Sequence, residues 1–217
     1  SLHSIDFHFQ DFSSASLFPV PDSIKALIKE KTRLLPENTQ KVLWAGSVLG
    51  QFFRPEVVEV MEDIPTDEMV SALEELEKLS ILSIRQDANG NTGYFFDHNQ
   101  IREEVLRGMS PLRKRHLHLQ AVHALESVHG EKPELEAEYA YHYEEAGEVS
   151  RAFGAWLKAA DFARTRFSKS DRYFAYERAN ALVSRLPQNQ LVEKIDELVY
   201  TWGTYAYDLS DIDTCIK

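Results

Sequence analysis

The chain has 217 residues, which is enough for one or two domains with a sizeable core. Hydrophobic residues make up 43% and charged residues 27%, ordinary values for a globular protein. The formal net charge is −11, from 35 acidic and 24 basic residues, and this excess of acids disfavours general binding to phosphate backbones. The single cysteine, Cys215, excludes an intramolecular disulfide and a Cys-based zinc site.

No apolar run approaches the roughly 20 residues that span a bilayer. The N-terminus also lacks the basic start and apolar core of a secretory signal. We therefore expect a cytoplasmic protein without a membrane segment. The sequence begins at Ser1 without Met, which suggests an excised fragment or a processed chain.

Residues 1–20 alternate weakly between apolar and polar side chains before a Ser-rich break, and we interpret them as a linker or an edge strand. Pro21 then opens a helix with an apolar stripe. This helix is expected to end before Pro36, because the residue that precedes a proline disfavours the helical region.

The next part predicts three helices followed by a hairpin. The helices are residues 37–49, 55–61 and 66–80, with Gly50 ending the first and Thr66 as the N-cap of the third. Two strands, 81–85 and 92–96, flank Asn89-Gly90, a strong hairpin signal. This order is typical of a winged helix-turn-helix domain, which we place at residues 21–109.

The helix in the recognition position of that domain carries the wrong charge for DNA. Between Thr66 and Ser80 it has five acids and one cation, Lys78. Such a face repels a duplex, because phosphate contacts require positive charge. A winged helix that packs on protein is therefore the favoured interpretation.

Residues 110–217 predict a stack of helices. Ser110-Pro111 starts the first as cap and first helical residue, and Gly147 ends the second. Small and aromatic residues then recur at spacings that allow close helix packing, and they match the tetratricopeptide pattern: Ala140, Tyr143, Gly147, Ala152, Trp156 and Ala159. The predicted fold is therefore mostly α, a winged helix with a small β-hairpin followed by a tetratricopeptide-like α-solenoid arm.

Three passages resemble the C-terminal half of STAND-type P-loop ATPases, signal-transducing proteins that include bacterial transcription activators of the maltose-regulator type. They are residues 20–53, residues 95–126 (FFDHNQIREEVLRGMSPLRKRHLHLQAVHALE) and residues 137–163. The resemblance implies a nucleotide-binding domain upstream, which would bind ATP or ADP. It also implies that the arm receives a protein partner.

The chain itself has no phosphate-binding loop. None of its nine glycines is followed by Lys, so the G-x-x-x-x-G-K-[ST] pattern is absent from the sequence. We therefore expect no ATP hydrolysis by this chain, no cofactor of its own and no catalytic residues.

His98 is the candidate cofactor-binding residue, and the resemblance alone supplies its role. In related nucleotide switches a His of a Met-His-Asp motif contacts the ADP phosphate. Here Asp97-His98-Asn99 matches that motif only at the His. An imidazole N–H can donate to a phosphate oxygen, and the alternative is a His that caps or packs under the next helix.

Other candidate residues favour simpler roles. His116, His118, His123 and His129 lack the i,i+3 or i,i+4 spacing that places two ligands on one helix face. The basic run at residues 113–115 is interpreted as a solvated first turn. We interpret a series of glutamates as a solvated face (Glu134, Glu136, Glu138, Glu144, Glu145) and a series of aromatics as arm core (Tyr139, Tyr143, Trp156, Tyr173, Tyr176).

Two functional classes remain. The first is a non-catalytic regulatory and protein-interaction module of a STAND ATPase, which couples partner binding to nucleotide state. The alternative is a winged-helix DNA-binding transcription regulator with a helical effector arm. DNA binding by this chain would favour the alternative.

Overall fold

The computed structural model describes residues 30, 32–87 and 90–208. The predicted linker or edge strand at residues 1–20 and most of the helix predicted from Pro21 lie outside the described residues. The described chain is mostly helical and has a small three-stranded antiparallel sheet. It divides into two compact units, the first ending at Val128 and the second beginning at His129.

The first unit alternates helices with short strands. Its described elements are α1 (Glu37–Leu49), β1 (Phe52–Phe53), α2 (Pro55–Glu62), α3 (Thr66–Lys78), β2 (Leu82–Gln86), β3 (Thr92–Phe96), α4 (Asn99–Gly108) and α5 (Pro111–His129). The helical arm was predicted to begin at residue 110, whereas α5, which starts at Pro111, lies in the first unit up to Val128.

The sheet has the strand order β1-β3-β2, with antiparallel pairing on both sides of β3. The pairing of β2 with β3, with Ile84 opposite Tyr94, confirms the predicted hairpin. In its turn, Gly90 has φ +82°, a value that glycine adopts without a steric penalty, and its N–H donates to the Asp87 carbonyl at 3.0 Å. The sequence predicted no strand at residues 52–53, so β1 is a third strand beside the two predicted ones.

β1 and β3 approach each other closely at Gly93. A Cβ atom added to Gly93 would lie 2.4 Å from the Cζ atom of Phe52 and 2.7 Å from the Phe53 carbonyl oxygen. Both distances are far below van der Waals contact, and the second involves backbone. Glycine is therefore required here by packing, because a side chain on β3 would push β1 away.

The core of the first unit forms around α1, which packs against α2, α3 and α4. The buried face predicted for α1 is confirmed, with Val42 and Leu43 fully buried. Phe96 of β3 is fully buried too. The buried Arg102 of α4 donates from Nε to the Ser47 carbonyl oxygen at 2.9 Å, which joins α4 to α1.

The second unit is a succession of helices. After a 3₁₀ turn (Pro133–Leu135) come α6 (Glu136–Ala146), α7 (Val149–Thr165), α8 (Lys169–Leu182), a second 3₁₀ turn (Val183–Arg185) and α9 (Gln188–Asp208). α7 packs on both α6 and α8, and α8 also contacts α9. Gly147 ends α6 as predicted, with φ +85° in the left-handed region.

Small and aromatic residues are both buried in the second unit. At least five alanines are almost completely buried: Ala140, Ala152, Ala160, Ala175 and Ala179. Phe153 and Trp156 of α7 are buried as well. Small side chains let helices approach closely and large ones fill the remaining space, so this burial agrees with the predicted small/aromatic pattern.

One predicted cap is wrong. Thr66 was expected to be the N-cap of α3, but the helix starts at Thr66 and Pro65 occupies the cap position. Pro65 has φ −57° and ψ 143°, so the extended backbone ends one residue earlier than expected. The Thr66 hydroxyl instead donates to Oε1 of Glu59. The Ser110 cap is confirmed, since the Arg113 N–H donates to its Oγ at 3.3 Å.

Candidate functional site

His98 lies where β3 passes into α4. Its backbone is extended, with φ −133° and ψ 117°, and it occupies the N-cap position of α4. Its carbonyl oxygen accepts the Ile101 N–H at 2.9 Å. The side chain is exposed and makes no capping hydrogen bond. The structure therefore places His98 neither as a side-chain cap nor packed under the helix.

The surroundings of His98 hold it in a defined place. The Phe96 N–H donates to the Gln51 carbonyl at 2.9 Å, and the Asp97 N–H donates to the Ile81 carbonyl at 3.1 Å. Gln51 precedes β1 and Ile81 precedes β2, so the chain just before His98 is hydrogen-bonded to the segments on both sides of β3. The first turn of α4 contains no acidic residue. A helix N-terminus carries partial positive charge and presents backbone N–H groups, so an anion beside His98 would meet a favourable field.

The two carboxylates nearest to His98 in sequence are engaged elsewhere. Asp97 lies 4.0 Å from a guanidinium nitrogen of Arg85. Glu103 accepts a hydrogen bond from Nδ2 of Asn99 at 2.8 Å. The Arg85 guanidinium partly offsets the charge of Asp97, whereas the neutral Asn99 amide leaves the charge of Glu103 in place.

The outward face of α3 is acidic, as the sequence predicted. Asp67, Glu68 and Glu74 are exposed, and Lys78 pairs with Glu74 at 3.8 Å. Val70 is 49% exposed on the same helix. This surface combines negative charge with an apolar side chain, a composition that suits a protein partner better than a phosphate backbone.

The negative charge of α3 extends to the sheet. Burial raises the pKa of the Tyr94 hydroxyl, and the carboxylates of Glu77 and Glu74 raise it further. The carboxylates of α3 therefore act on Tyr94, which lies on β3.

The basic run at residues 113–115 is anchored at its first residue. The Arg113 guanidinium stacks over the Trp44 ring at 4.1 Å from the centroid, a cation–π contact that joins α5 to α1. Burial raises the pKa of Glu62, against the opposing charges of Lys41, His116 and Arg113. Arg113 is exposed, as a solvated first turn predicts, and its guanidinium also contacts the Trp44 ring.

The four histidines of α5 differ in their environments. His118 is buried, and burial together with the charges of Lys114 and Arg102 lowers its pKa to about 3. His116 and His123 are exposed. Over residues 32–87 and 90–208, no three His, Cys, Asp or Glu side chains lie where they could hold a metal ion.

Two glutamates of the second unit lie inside it and not on a solvated face. Glu136 is 9% exposed and lies 3.3 Å from Nζ of Lys158. Glu144 accepts the Trp156 indole N–H at 3.1 Å and an Arg178 nitrogen at 2.7 Å. Helix periodicity did not reveal these partners, because they come from later helices.

The aromatic residues of the arm mostly form core, as predicted. Tyr139, Trp156 and Tyr176 are buried, and the hydroxyl of Tyr139 donates to the Gly130 carbonyl at 2.9 Å. Tyr143 is only half-buried, and Tyr173 is 46% exposed, so the prediction is wrong for Tyr173. Its phenol pKa is raised by the neighbouring Glu177 carboxylate, which also hydrogen-bonds with it.

Comparison with known proteins does not identify a family for this chain. Searches against protein-family models, curated proteins and solved structures found no match for the chain. Within its described part, the chain has no helix that is both long enough and apolar enough to cross a membrane.

Proposed function

We propose that this chain is a non-catalytic regulatory and protein-interaction module of a larger STAND-type ATPase that acts in signalling or transcription. In this proposal residues 21–109 form a winged helix that packs on an upstream nucleotide-binding domain. The following tetratricopeptide-like arm receives a protein partner. Partner binding then changes how the winged helix packs, and with it the nucleotide state.

The arrangement of the first unit supports the winged-helix part of the proposal. A helix precedes β1, two helices follow it, and the β2–β3 hairpin comes next, before α4 and α5. The first strand pairs with the last one, which gives the order β1-β3-β2. A winged helix has this succession, with α3 in the recognition position and the hairpin as the wing.

The observation that carries the proposal is the outward face of α3. A DNA-reading helix gains affinity by placing cations near phosphates, and α3 instead exposes Asp67, Glu68 and Glu74. Val70 adds an apolar contact in the same region. The recognition position is therefore suited to protein, and the DNA-binding alternative lacks the charge that it requires.

His98 supplies the link to nucleotide. Its exposed imidazole stands at the N-terminus of α4, where the helix dipole favours a negative group. In the proposal, it donates a hydrogen bond to a phosphate of ADP held by the upstream domain. The coupling between partner and nucleotide is then of the usual size for allosteric proteins, about 1–3 kcal/mol.

The second unit supports the arm. Each helix from α6 to α9 packs on the next one in sequence, and several alanines of these helices are buried. Helices that each pack on the next one expose helix faces that a protein partner can bind.

The test compares this chain with a longer product of the same gene that includes the preceding region. Fluorescent ADP is added to both proteins. A labelled DNA duplex is added to this chain at about 150 mM salt, a concentration that weakens non-specific electrostatic binding to DNA. We expect ADP to bind only to the longer protein, and we expect no binding of the duplex to this chain. DNA binding by this chain, or no ADP binding by the longer protein, would contradict the proposal.

A further inference from the structure

The turn between α7 and α8 carries the most exposed large apolar side chain of the described residues. Phe167 is 92% exposed, and its backbone lies in the left-handed region, with φ +58°. That region is unfavourable for a residue with a Cβ atom, and glycine is the usual residue where a helix ends in this way. Neither the exposure nor the strain of Phe167 stabilises the fold, and such strain often marks a functional position.

The backbone of this turn is fixed by hydrogen bonds. The Phe167 N–H donates to the Arg164 carbonyl at 3.1 Å, and the Ser168 N–H donates to the Ala163 carbonyl at 3.0 Å. The Ser168 hydroxyl donates to Oδ2 of Asp171 at 2.5 Å, in the first turn of α8. An ordered main chain therefore presents the ring to solvent. Glycine would make the same backbone hydrogen bonds without the strain.

The charge around the ring is positive. Residues 164–170, the basic turn, contain three cations and no acid. The cations are Arg164, Arg166 and Lys169, and all three are exposed. Arg164 also pairs with Asp161 at 2.8 Å. Since the whole chain has a net charge of −11, the basic turn reverses the prevailing sign and surrounds an apolar ring with cations.

The charge and the small size of the basic turn favour a protein as its occupant. A phosphate backbone or an anionic bilayer extends far beyond seven residues, and it would meet the 35 acids of this chain, which outnumber its 24 bases. A protein partner can confine its carboxylates to the border of one apolar patch. An aromatic ring inside a border of complementary charge is a common composition of interface hot spots.

We propose that the basic turn is a docking site at which Phe167 packs on an apolar patch of a partner protein bordered by Asp or Glu. The ring supplies most of the affinity, and the three cations select an acidic border. Docking removes the exposed ring from water, which offsets the strain that the free chain carries. The inference deepens the proposed function and rests on it, since it defines the chemistry of the protein that the arm receives.

Phe167→Gly separates a binding role from a structural one. If the ring serves binding, glycine relieves the strain and removes almost no packing. The midpoint of thermal unfolding should then stay unchanged or rise by up to roughly 4 °C. A lower midpoint would show that the fold requires the ring, and it would overturn the inference.

The binding test uses the full chain and two synthetic amphipathic peptides of about 18 residues, or five helical turns. Both carry the same stripe of Leu, with Glu beside it in one peptide and Lys in the other. Fluorescence anisotropy measures their binding. We expect the Glu peptide to bind at least roughly tenfold more tightly than the Lys peptide, because only its charges complement the basic turn. Phe167→Gly should weaken the Glu peptide by roughly tenfold or more.

Leu112→Gly is the matched control for the binding test. Leu112 is 79% exposed on α5, and the cations of residues 113–115 follow it. It therefore offers another apolar side chain beside positive charge, and its loss should leave binding of the Glu peptide unchanged. Arg166→Glu, next to the ring, should reduce the preference for the Glu peptide.

Several outcomes would overturn the inference. They are failure of the Glu peptide to bind, equal affinity for both peptides, full binding by Phe167→Gly, or loss of binding in Leu112→Gly. An oligothymidylate of about 15 nucleotides and vesicles that contain phosphatidylserine test other anions. If Phe167→Gly abolishes binding of either, or abolishes self-association of the chain, the basic turn belongs to nucleic acid, to lipid or to a second copy. None of these measurements involves ADP, so failure here is distinct from failure of the proposed function.

Discussion

Substitution of Gly93 tests the approach of β1 to β3, which is the feature of the sheet that the sequence did not predict. In Gly93→Ala the new Cβ would lie 2.4 Å from the Phe52 ring and 2.7 Å from the Phe53 carbonyl oxygen. The ring can rotate away, but the backbone oxygen cannot move without shifting β1. Overpacking of this kind typically costs about 1–3 kcal/mol, and we expect the free energy of unfolding to fall by that amount.

Gly108→Ala is the matched control. Gly108 ends α4 in the same unit, and no atom lies within 4 Å of its added Cβ. Alanine there should leave stability unchanged or raise it by up to about 1 kcal/mol, because it reduces the freedom of the unfolded chain. Urea unfolding followed by tryptophan fluorescence measures both variants. If Gly93→Ala is as stable as Gly108→Ala, β1 does not lie against β3 as described.

Two further predictions concern buried polar groups. Since the pKa of His118 is lowered to about 3 from 6.5, the unfolded chain binds more protons between these values, and stability falls as the pH drops below 6.5. At pH 5 the loss is ~2 kcal/mol, at 1.36 kcal/mol per pH unit. His118→Gln should lose less stability between pH 7 and pH 5 in urea titrations, and equal losses would contradict the assignment. Glu144→Ala should destabilise by about 1–2 kcal/mol, because Trp156 and Arg178 lose their acceptor. Asp161→Ala, in an exposed pair with Arg164, should change thermal stability by less than about 0.5 kcal/mol, and similar effects of the two variants would count against a three-helix network.

Local signals in the sequence located most of the described elements. The helix that Gly50 ends, the Ser110 cap and the helix end at Gly147 rest on backbone chemistry within a few residues. The hairpin rests on alternation around a turn. These features depend on neighbours in the chain, and a single sequence contains that information.

β1 could not be predicted in the same way. A strand of two residues, Phe52–Phe53, is too short to show alternation. β1 forms because it pairs with the edge of β3 that β2 does not occupy, and β3 lies about 40 residues later in the chain. The closely packed Gly93 is the one residue that hinted at such an approach, since a glycine inside a strand often marks one.

The buried acids were missed for a related reason. Glu136 and Glu144 lie on a helix rich in acids, and such runs usually face solvent. Their cations, Lys158 and Arg178, come from α7 and α8. Only the packing of three helices brings these charges together, so spacing within one helix could not reveal them.

The candidate site shows the same division between local and long-range information. The sequence predicts a strand before His98, because the second strand of the hairpin ends at Phe96. It also predicts that a helix follows His98. That its side chain is exposed and makes no capping bond is a property of the folded chain. Its role as a phosphate sensor stays a prediction, since it requires the proposed nucleotide-binding domain.

The proposed function requires that His98 senses the nucleotide bound to an upstream domain. The most direct test is the rate at which fluorescent ADP leaves the longer gene product, measured by stopped-flow competition with unlabelled ADP. Loss of one hydrogen bond to a charged group, worth about 1.5–3 kcal/mol, predicts release at least roughly tenfold faster in His98→Ala. An unchanged release rate, with ADP still bound stoichiometrically, would contradict the claim.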